Sequence, residues 1–456
     1  MRFPPPPFRP DLVVVTGVRA VDPGAGLDAT VDLVVEAGRI TRLGPGAFSA
    51  ELRRATGAGG VAALHIDGRE LWALPAFVDL HAHLREPGQE HKEDIASGLA
   101  AAAAGGFAHV CAMPNTEPAN DCPEITGAMI ARATALGGSR LHPVGAVTVG
   151  RRGAELADLG AMRAAGAVAF SDDGGCVMSG AIVRQALGRA RELGVPIIQH
   201  AEDHSLTAGA QMHEGAVSVW LGLRGWPRHA EETIVARDLT LCAEVAGARY
   251  HVAHVSTAGT AELVREAKAR GVAVSAEVTA HHLMLTDQAV AEHGTACKVS
   301  PPLREARDVE ALRAALADGT VDAIATDHAP HAPREKRRPF AEAPPGMIGL
   351  ELALPVLLRL VHDGIVPLAR FVEALSRAPA RIAGLHPPEL REGAPAELCL
   401  VAPRRRHVLG PAELRSKSCN SPFVGEPLCG SVELTMAGGA IVHVRAGCEP
   451  ILWSAP

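Results

Sequence analysis

The chain has 456 residues and a formal net charge of −7, with a pI near 6.3, which excludes the basic footprint of a nucleic-acid binder. Its nine cysteines are scattered without a CxxC pair, which argues against a zinc ribbon, a thioredoxin motif or a disulfide scaffold and fits a reducing compartment. No apolar run is long enough to span a membrane, and the first residues lack the charged-then-apolar order of a signal peptide, so a cytoplasmic protein without a membrane partner is expected.

After a proline run at Pro4–Pro7 that reads as a polyproline lead-in, short strands are expected at Asp11–Val15, Leu33–Val35 and Ile40–Leu43, separated by Gly, Pro and Asp turns. Such strands need a partner sheet to bury their apolar faces. Segments of the same character recur at the other end of the chain, at Glu397–Val401, Val432–Met436 and Ile441–Val444. The expectation is one small β-sandwich domain built from both termini, residues 1–73 and 388–456, flanking a central unit of residues 74–387.

From Leu74 the rhythm becomes a short apolar strand followed by an Ala-rich helical stretch, repeated. Candidate strands end near Leu80, Ala112, Ala146, Phe170, Gln199, His254, Val278 and Thr326, the count a (β/α)8 TIM barrel requires. Helices are expected at Asp94–Ala104, Ala181–Leu193, Ala230–Val245, Ala261–Arg270 and Val309–Ala317. A doubly wound open sheet has the same alternation. The polar residues favour the barrel, because they gather at the C-terminal ends of the strands, which converge on one rim only when the sheet closes.

His81 and His83 follow the first strand in LPAFVDLHAHLREPG, and alternation along an extended chain points both imidazoles the same way. Asn115 follows the second strand, Asp172 and Asp173 the fourth, His200 the fifth; His254 ends the sixth, and Asp327 and His331 follow the eighth. Taken singly, each is as readily a loop cap. Taken together, four histidines and two aspartates make a mixed nitrogen and oxygen site for one or two Zn2+ ions, of the kind used in hydrolysis. A bridging carboxylated lysine is excluded, since no lysine lies between Lys92 and Lys268; Asp172 or Asp173 must serve if anything bridges. Arg85 offers a guanidinium fork to a substrate carboxylate, with a salt bridge to Glu86 or Glu90 as the plainer reading. Asn115 offers both a donor and an acceptor to an amide-bearing ring. Six further histidines, His109, His142, His251, His281, His282 and His328, read as packing or loop residues. The loop Ala332–Gly346 reads as solvated surface from its Arg-Glu-Lys-Arg-Arg run and as a lid from Pro345-Gly346.

The stretches DLHAHLREPG, CAMPNTEP, FSDDG, QHAED, HVAHVSTAG, EVTAHHL, SPPLR, ATDHAPH, IGLELALP and the tail segments SKS and SPF resemble the bacterial dihydroorotases that lack the lysine bridge, within the amidohydrolase superfamily. The resemblance runs from about Asp11 nearly to the end of the chain, and HLREPG with MPNT and FSDDG is its most specific part. It implies that His81 and His83 bind one zinc, that His200 and His254 bind the other, and that Asp173 ligates where relatives use lysine. Asp327 would be both a ligand and the catalytic base, and the substrate contacts fall on His83, Arg85, Asn115, Ser300, His331, Pro345 and Gly346. The implied reaction is reversible hydrolysis of (S)-dihydroorotate to N-carbamoyl-L-aspartate, in pyrimidine synthesis.

Two departures stand out. Ser300 occupies a position where such dihydroorotases commonly carry asparagine, and SPPLR is more like hydantoinases; Gly175-Cys176 after FSDDG is also unusual. A hydantoinase- or allantoinase-like cyclic amide hydrolase is therefore the first alternative, although a neutral hydantoin gives Arg85 no carboxylate. The second is a non-catalytic scaffold for aspartate carbamoyltransferase, which the complete ligand set disfavours. Aspartate carbamoyltransferase as a partner and a homodimer are the assemblies left open.

Overall fold

The computed structural model describes residues 7–47, 63–446 and 451–453; apart from Pro7, the proline run lies outside them. The chain begins with β1 (Leu12–Asp22), β2 (Leu27–Glu36), β3 (Arg39–Gly44), β4 (Ala63–Asp67) and β5 (Trp72–Pro75). One edge of β1 pairs with β2, while the other is shared, Leu12–Thr16 taking β4 and Arg19–Ala20 taking β5, both parallel.

The barrel follows. Its strands are β6 (Phe77–Ala82), β7 (Phe107–Ala112), β8 (Arg140–Gly145), β9 (Ala169–Phe170) and β10 (Ile197–Gln199), then, after a small pair β11 (Met212–His213) and β12 (Gly225–Trp226), β13 (Tyr250–Val252), β14 (Val274–Thr279) and β15 (Ala323–Ala325). They lie in sequential order as one parallel sheet. Its two ends meet where the backbone amide and hydroxyl of Thr326 donate to Asp79, at 2.9 and 2.5 Å, and where Ala82 bridges to His328. Every residue of β6 and β7 is buried. A parallel strand with helices outside and a filled interior has no solvated face, so these strands read as continuous apolar runs.

The helices lie close to their expected positions, at Ile95–Ala104, Gly180–Leu193, His229–Glu244, Ala258–Ala269 and Ala306–Asp318. The first shows why: Asp94 stands just outside it, accepting the Ser97 amide at 2.7 Å, while the Ser97 hydroxyl accepts the Asp94 amide at 3.1 Å. This reciprocal cap satisfies two amides that the first helical turn leaves unpaired.

The C-terminal strands β16 (Leu398–Val408), β17 (Pro427–Ala437), β18 (Ala440–Val444) and β19 (Ile451–Trp453) join β1–β5 in a second sheet. The seam is antiparallel, Leu398 opposite Pro75 through Val401 opposite Trp72. Both ends of the chain thus close one apolar core, which includes Val13, Leu33, Val35, Leu398 and Leu434, so the protein is a (β/α)8 barrel with an added β-sandwich. His109 helps join the two, bonding His142 at 2.9 Å and Glu397, just before β16, at 3.3 Å. No helix among the described residues is long and apolar enough to cross a membrane.

Candidate metal centre and substrate pocket

His81 ends the inward face of β6 and His83 follows it, their ring centroids 5.4 Å apart. Asp173, on the turn after β9, lies between them and the histidines from β10 and β13. Its Oδ1 is 3.2 Å from His81 Nε2, 3.5 Å from His200 Nδ1 and 3.6 Å from His254 Nε2, and its Oδ2 is 3.5 Å from His83 Nε2. Two groups of three follow, His81–His83–Asp173 and Asp173–His200–His254, each with its donor atoms within 4.8 Å of one another. Asp327, after β15, places Oδ1 3.1 Å from His83 Nε2 and 3.7 Å from His81 Nε2. Asp172 faces elsewhere, accepting the Thr148 amide at 3.0 Å and its hydroxyl.

Whether these residues suit a cation can be judged from the outer side of each ring. His81 Nδ1 bonds Glu277 Oε1 at 2.7 Å and His83 Nδ1 bonds Asn115 Oδ1 at 2.8 Å. Each acceptor oxygen assigns the proton to Nδ1 and leaves Nε2 with a lone pair. His200 is held the other way round, Nε2 donating to Glu202 at 3.3 Å, so that Nδ1 carries the lone pair and accepts from His254 Nε2 at 2.9 Å. Lone pairs and carboxylate oxygens therefore converge on one point. The His81 Nε2 and Asp173 Oδ1 atoms, though near each other, are out of line for a hydrogen bond and are buried without one. With a cation bound, these atoms would form the ordinary imidazole and carboxylate ligand set.

Glu277, on β14, was not among the residues expected at the site. It is fully buried, and burial alone would raise its pKa, but His81 and His251 hold it down at about 2. His251, expected to be mere packing, donates to its second oxygen at 3.1 Å. A carboxylate behind a ligating imidazole fixes the ring and strengthens its basicity. Glu277→Gln is expected to weaken metal affinity by about 10- to 100-fold, read by competition with a chelator on the folded protein. An unchanged affinity would leave Glu277 a packing residue.

Three site residues have left-handed backbone conformations, Arg85 (φ 64°), His254 (φ 31°) and Asp327 (φ 44°). Such strain costs on the order of 1–3 kcal/mol at each non-glycine residue and collects where geometry serves function. Here it turns the strand ends sharply enough to aim side chains into the rim.

Above the ligands lies a cavity of about 200 Å3, lined by His83, Arg85, Asn115, Ser300, His331, Pro345 and Gly346 together with Asp173, His200, His254 and Asp327. Arg85 makes no bond to Glu86 or Glu90. It is buried, burial lowers its pKa to about 10, and its Nε donates to Pro330 O at 3.3 Å. His331 donates Nε2–H to Pro345 O at 2.8 Å, so the Arg85 Nη2, 3.5 Å from that nitrogen, finds no acceptor there. Ser300 Oγ is 3.4 Å from His200 Nε2. Gly346 has φ 137°, and a Cβ there would come 2.8 Å from the Ala329 Cβ and 2.9 Å from its carbonyl, so only glycine fits.

In the loop carrying Pro345-Gly346, Arg334, Arg337 and Arg338 are exposed, as a solvated charge run implies, but one member departs from it. Lys336 is buried and donates to Lys298 O, Pro344 O and Gly346 O at 3.3, 3.0 and 2.9 Å. Asn420 adds two more ties, from Nδ2 to Ala329 O and Gly346 O, both at 3.0 Å. Neither was visible as a site residue in the sequence, since each acts through backbone atoms far away in the chain.

Residues 71–260 match the family model described as dihydro-orotase-like. A dihydroorotase from Anaeromyxobacter dehalogenans is 47% identical over 435 residues, covering 95% of this chain and 98% of that protein. One from Geotalea daltonii is 44% identical over 436 residues, covering 95% and 99%. Among solved structures, the L-hydantoinase from Arthrobacter aurescens superposes with a TM-score of 0.83 at 23% identity, covering 98% of each chain, a likeness of fold. With the barrel, the paired histidines and near full-length identity in agreement, the chain belongs to the dihydroorotase family.

Proposed function

We propose that this chain catalyses the reversible hydrolysis of (S)-dihydroorotate to N-carbamoyl-L-aspartate in pyrimidine synthesis, with two Zn2+ ions held by His81, His83, Asp173, His200, His254 and Asp327. The observation that carries the reading is the buried Arg85, without a carboxylate partner, facing the same cavity as the two ligand groups that share Asp173. A ring bearing a carboxylate supplies what that guanidinium lacks. Sharing of one carboxylate by two groups supports two ions.

When bound, zinc supplies Lewis acidity, acidifying water and polarising an amide carbonyl. The chain's own residues do the rest. Arg85 takes the substrate carboxylate. Asn115, whose Oδ1 is committed to His83, has its Nδ2 amide to offer the ring. The Pro345–Gly346 backbone, held by His331 and Lys336, closes the side of the pocket. Asp327 accepts the proton of the attacking water as its oxygen bonds to the carbonyl carbon, then delivers that proton to the ring nitrogen as the C–N bond breaks. Ring closure reverses each transfer.

The test is zinc content together with dihydroorotate hydrolysis, followed at the ring's ultraviolet absorbance, with hydantoin and allantoin as controls. Zinc with selective dihydroorotate turnover is the expected result. Turnover of hydantoin instead would favour the alternative that Ser300 suggests. Zinc without turnover of any ring, activity appearing only with added aspartate carbamoyltransferase, would assign the chain to a partner-dependent assembly.

Two variants probe the pocket. Arg85→Gln is expected to lower kcat/KM for dihydroorotate by about 10- to 100-fold, the value of charge-assisted hydrogen bonds, mainly through KM. Lys336→Met removes three ties to the loop backbone, and a misplaced pocket wall is expected to raise KM about tenfold. Steady-state kinetics at fixed zinc measures both; an unchanged KM in either variant removes that residue from the substrate side.

A further inference from the structure

A second cavity, of about 260 Å3, lies away from the metal centre, where the outer sheet meets the barrel. Its basic lining comes from three separate segments. His407 is near the end of β16, Arg415 is in the loop that follows, and His443 and Arg445 are at the end of β18.

Neither guanidinium has an ion pair among the described residues, and His407 Nδ1 is buried without a hydrogen bond. Burial and then the two nearby arginines lower the pKa of His443 to about 4. Two carboxylates also reach the cavity wall, each accepting backbone amides. Glu351 accepts the backbone amides of Arg415 and Ser416 at 2.9 and 3.1 Å, and Glu413 Oε2 accepts the Gly410 amide at 2.9 Å.

We propose that this cavity is a second ligand site, taking a small phosphate-type anion between Arg415 and Arg445. Two arginines and two histidines from three segments line it and carry more donors than the two oxygens of a carboxylate accept. A tetrahedral group with three or more acceptor oxygens matches so many donors on one cavity lining. The volume is below that of a drug-sized pocket, which favours a small anion or one phosphoryl end of a larger molecule.

The test is calorimetric titration of the zinc-loaded enzyme with inorganic phosphate, phenyl phosphate and succinate. One saturable phosphate-type ligand per chain is expected, weakened at least tenfold in Arg415→Gln and in Arg445→Gln and unchanged in Arg85→Gln. Stronger binding of inorganic phosphate identifies the free anion, and stronger binding of phenyl phosphate a phosphoryl end. Absence of saturable binding, survival of binding in both variants, loss of it in Arg85→Gln, or succinate bound as tightly as phosphate overturns the proposal. Thermal melting separates loss of the site from loss of the fold, and Arg415, exposed at the cavity rim, carries the test if Arg445→Gln unfolds.

Discussion

Asp327→Asn is expected to keep its zinc and to lose about 10^3-fold in kcat for dihydroorotate, within the range that removal of a positioned general base costs. The side chain keeps its size and one carbonyl oxygen, so the ligand sphere around His81 and His83 persists. What disappears is the ability to take a proton from water and pass it to the ring nitrogen. Because the proton moves in the transition state and not on binding, the loss should fall on kcat with KM little changed. Metal analysis and steady-state kinetics on the same preparation check it. Near wild-type turnover with zinc bound would exclude Asp327 as the base.

Asp173→Ala should have a different signature. Its two oxygens face four histidines from three barrel strands, at 3.2 to 3.6 Å. Burial would push this carboxyl up, yet its contacts with His81, His200 and His254 hold it well below the usual carboxylate range. Removing it leaves each ligand group with two histidines and no shared anion. Zinc content should fall from two per chain to one or none, with turnover reduced by about 10^3-fold or more, on the scale of losing the metal's contribution to the barrier. Elemental analysis at increasing zinc distinguishes this from a fault in proton transfer. If two zinc ions stay bound at ordinary affinity, Asp173 does not bridge.

The two variants separate the roles a carboxylate can take in one pocket. Asp327→Asn tests chemistry with the ligand sphere kept, while Asp173→Ala tests the sphere itself.

Much of the fold was legible because the barrel's physics is local. A parallel strand buried on both faces reads as an unbroken apolar run, and a side chain that serves the rim must stand where that run stops. His81, His83, Asp173, His200, His254 and Asp327 all sit at such stops, so their gathering followed once eight strands were counted. The choice between Asp172 and Asp173 did not follow from spacing, since adjacent residues on a turn are equivalent until the turn's geometry is fixed. The resemblance favoured Asp173, and the fold puts Asp172 against Thr148 instead.

What only the tertiary structure decided involves groups that meet through contacts remote in sequence. Glu277 is one residue of an ordinary strand pattern until closure of the sheet sets it behind His81, 196 residues away. Lys336 stands in a run of charges, the strongest local sign of solvent exposure. Yet three backbone carbonyls converge on it, and an ammonium with all its donors satisfied can be buried. Arg85 was equally ready, by spacing, to pair with Glu86 or Glu90; a left-handed turn at its own backbone directs it inward. The sequence by itself determined the strand count, the ligand types and their order along the chain, because periodicity and residue chemistry are written residue by residue. Which carboxylate orients a histidine, which lysine is buried and which arginine waits for an anion were decided by packing, where the cost of an unpaired buried group selects one arrangement from several that the sequence allows.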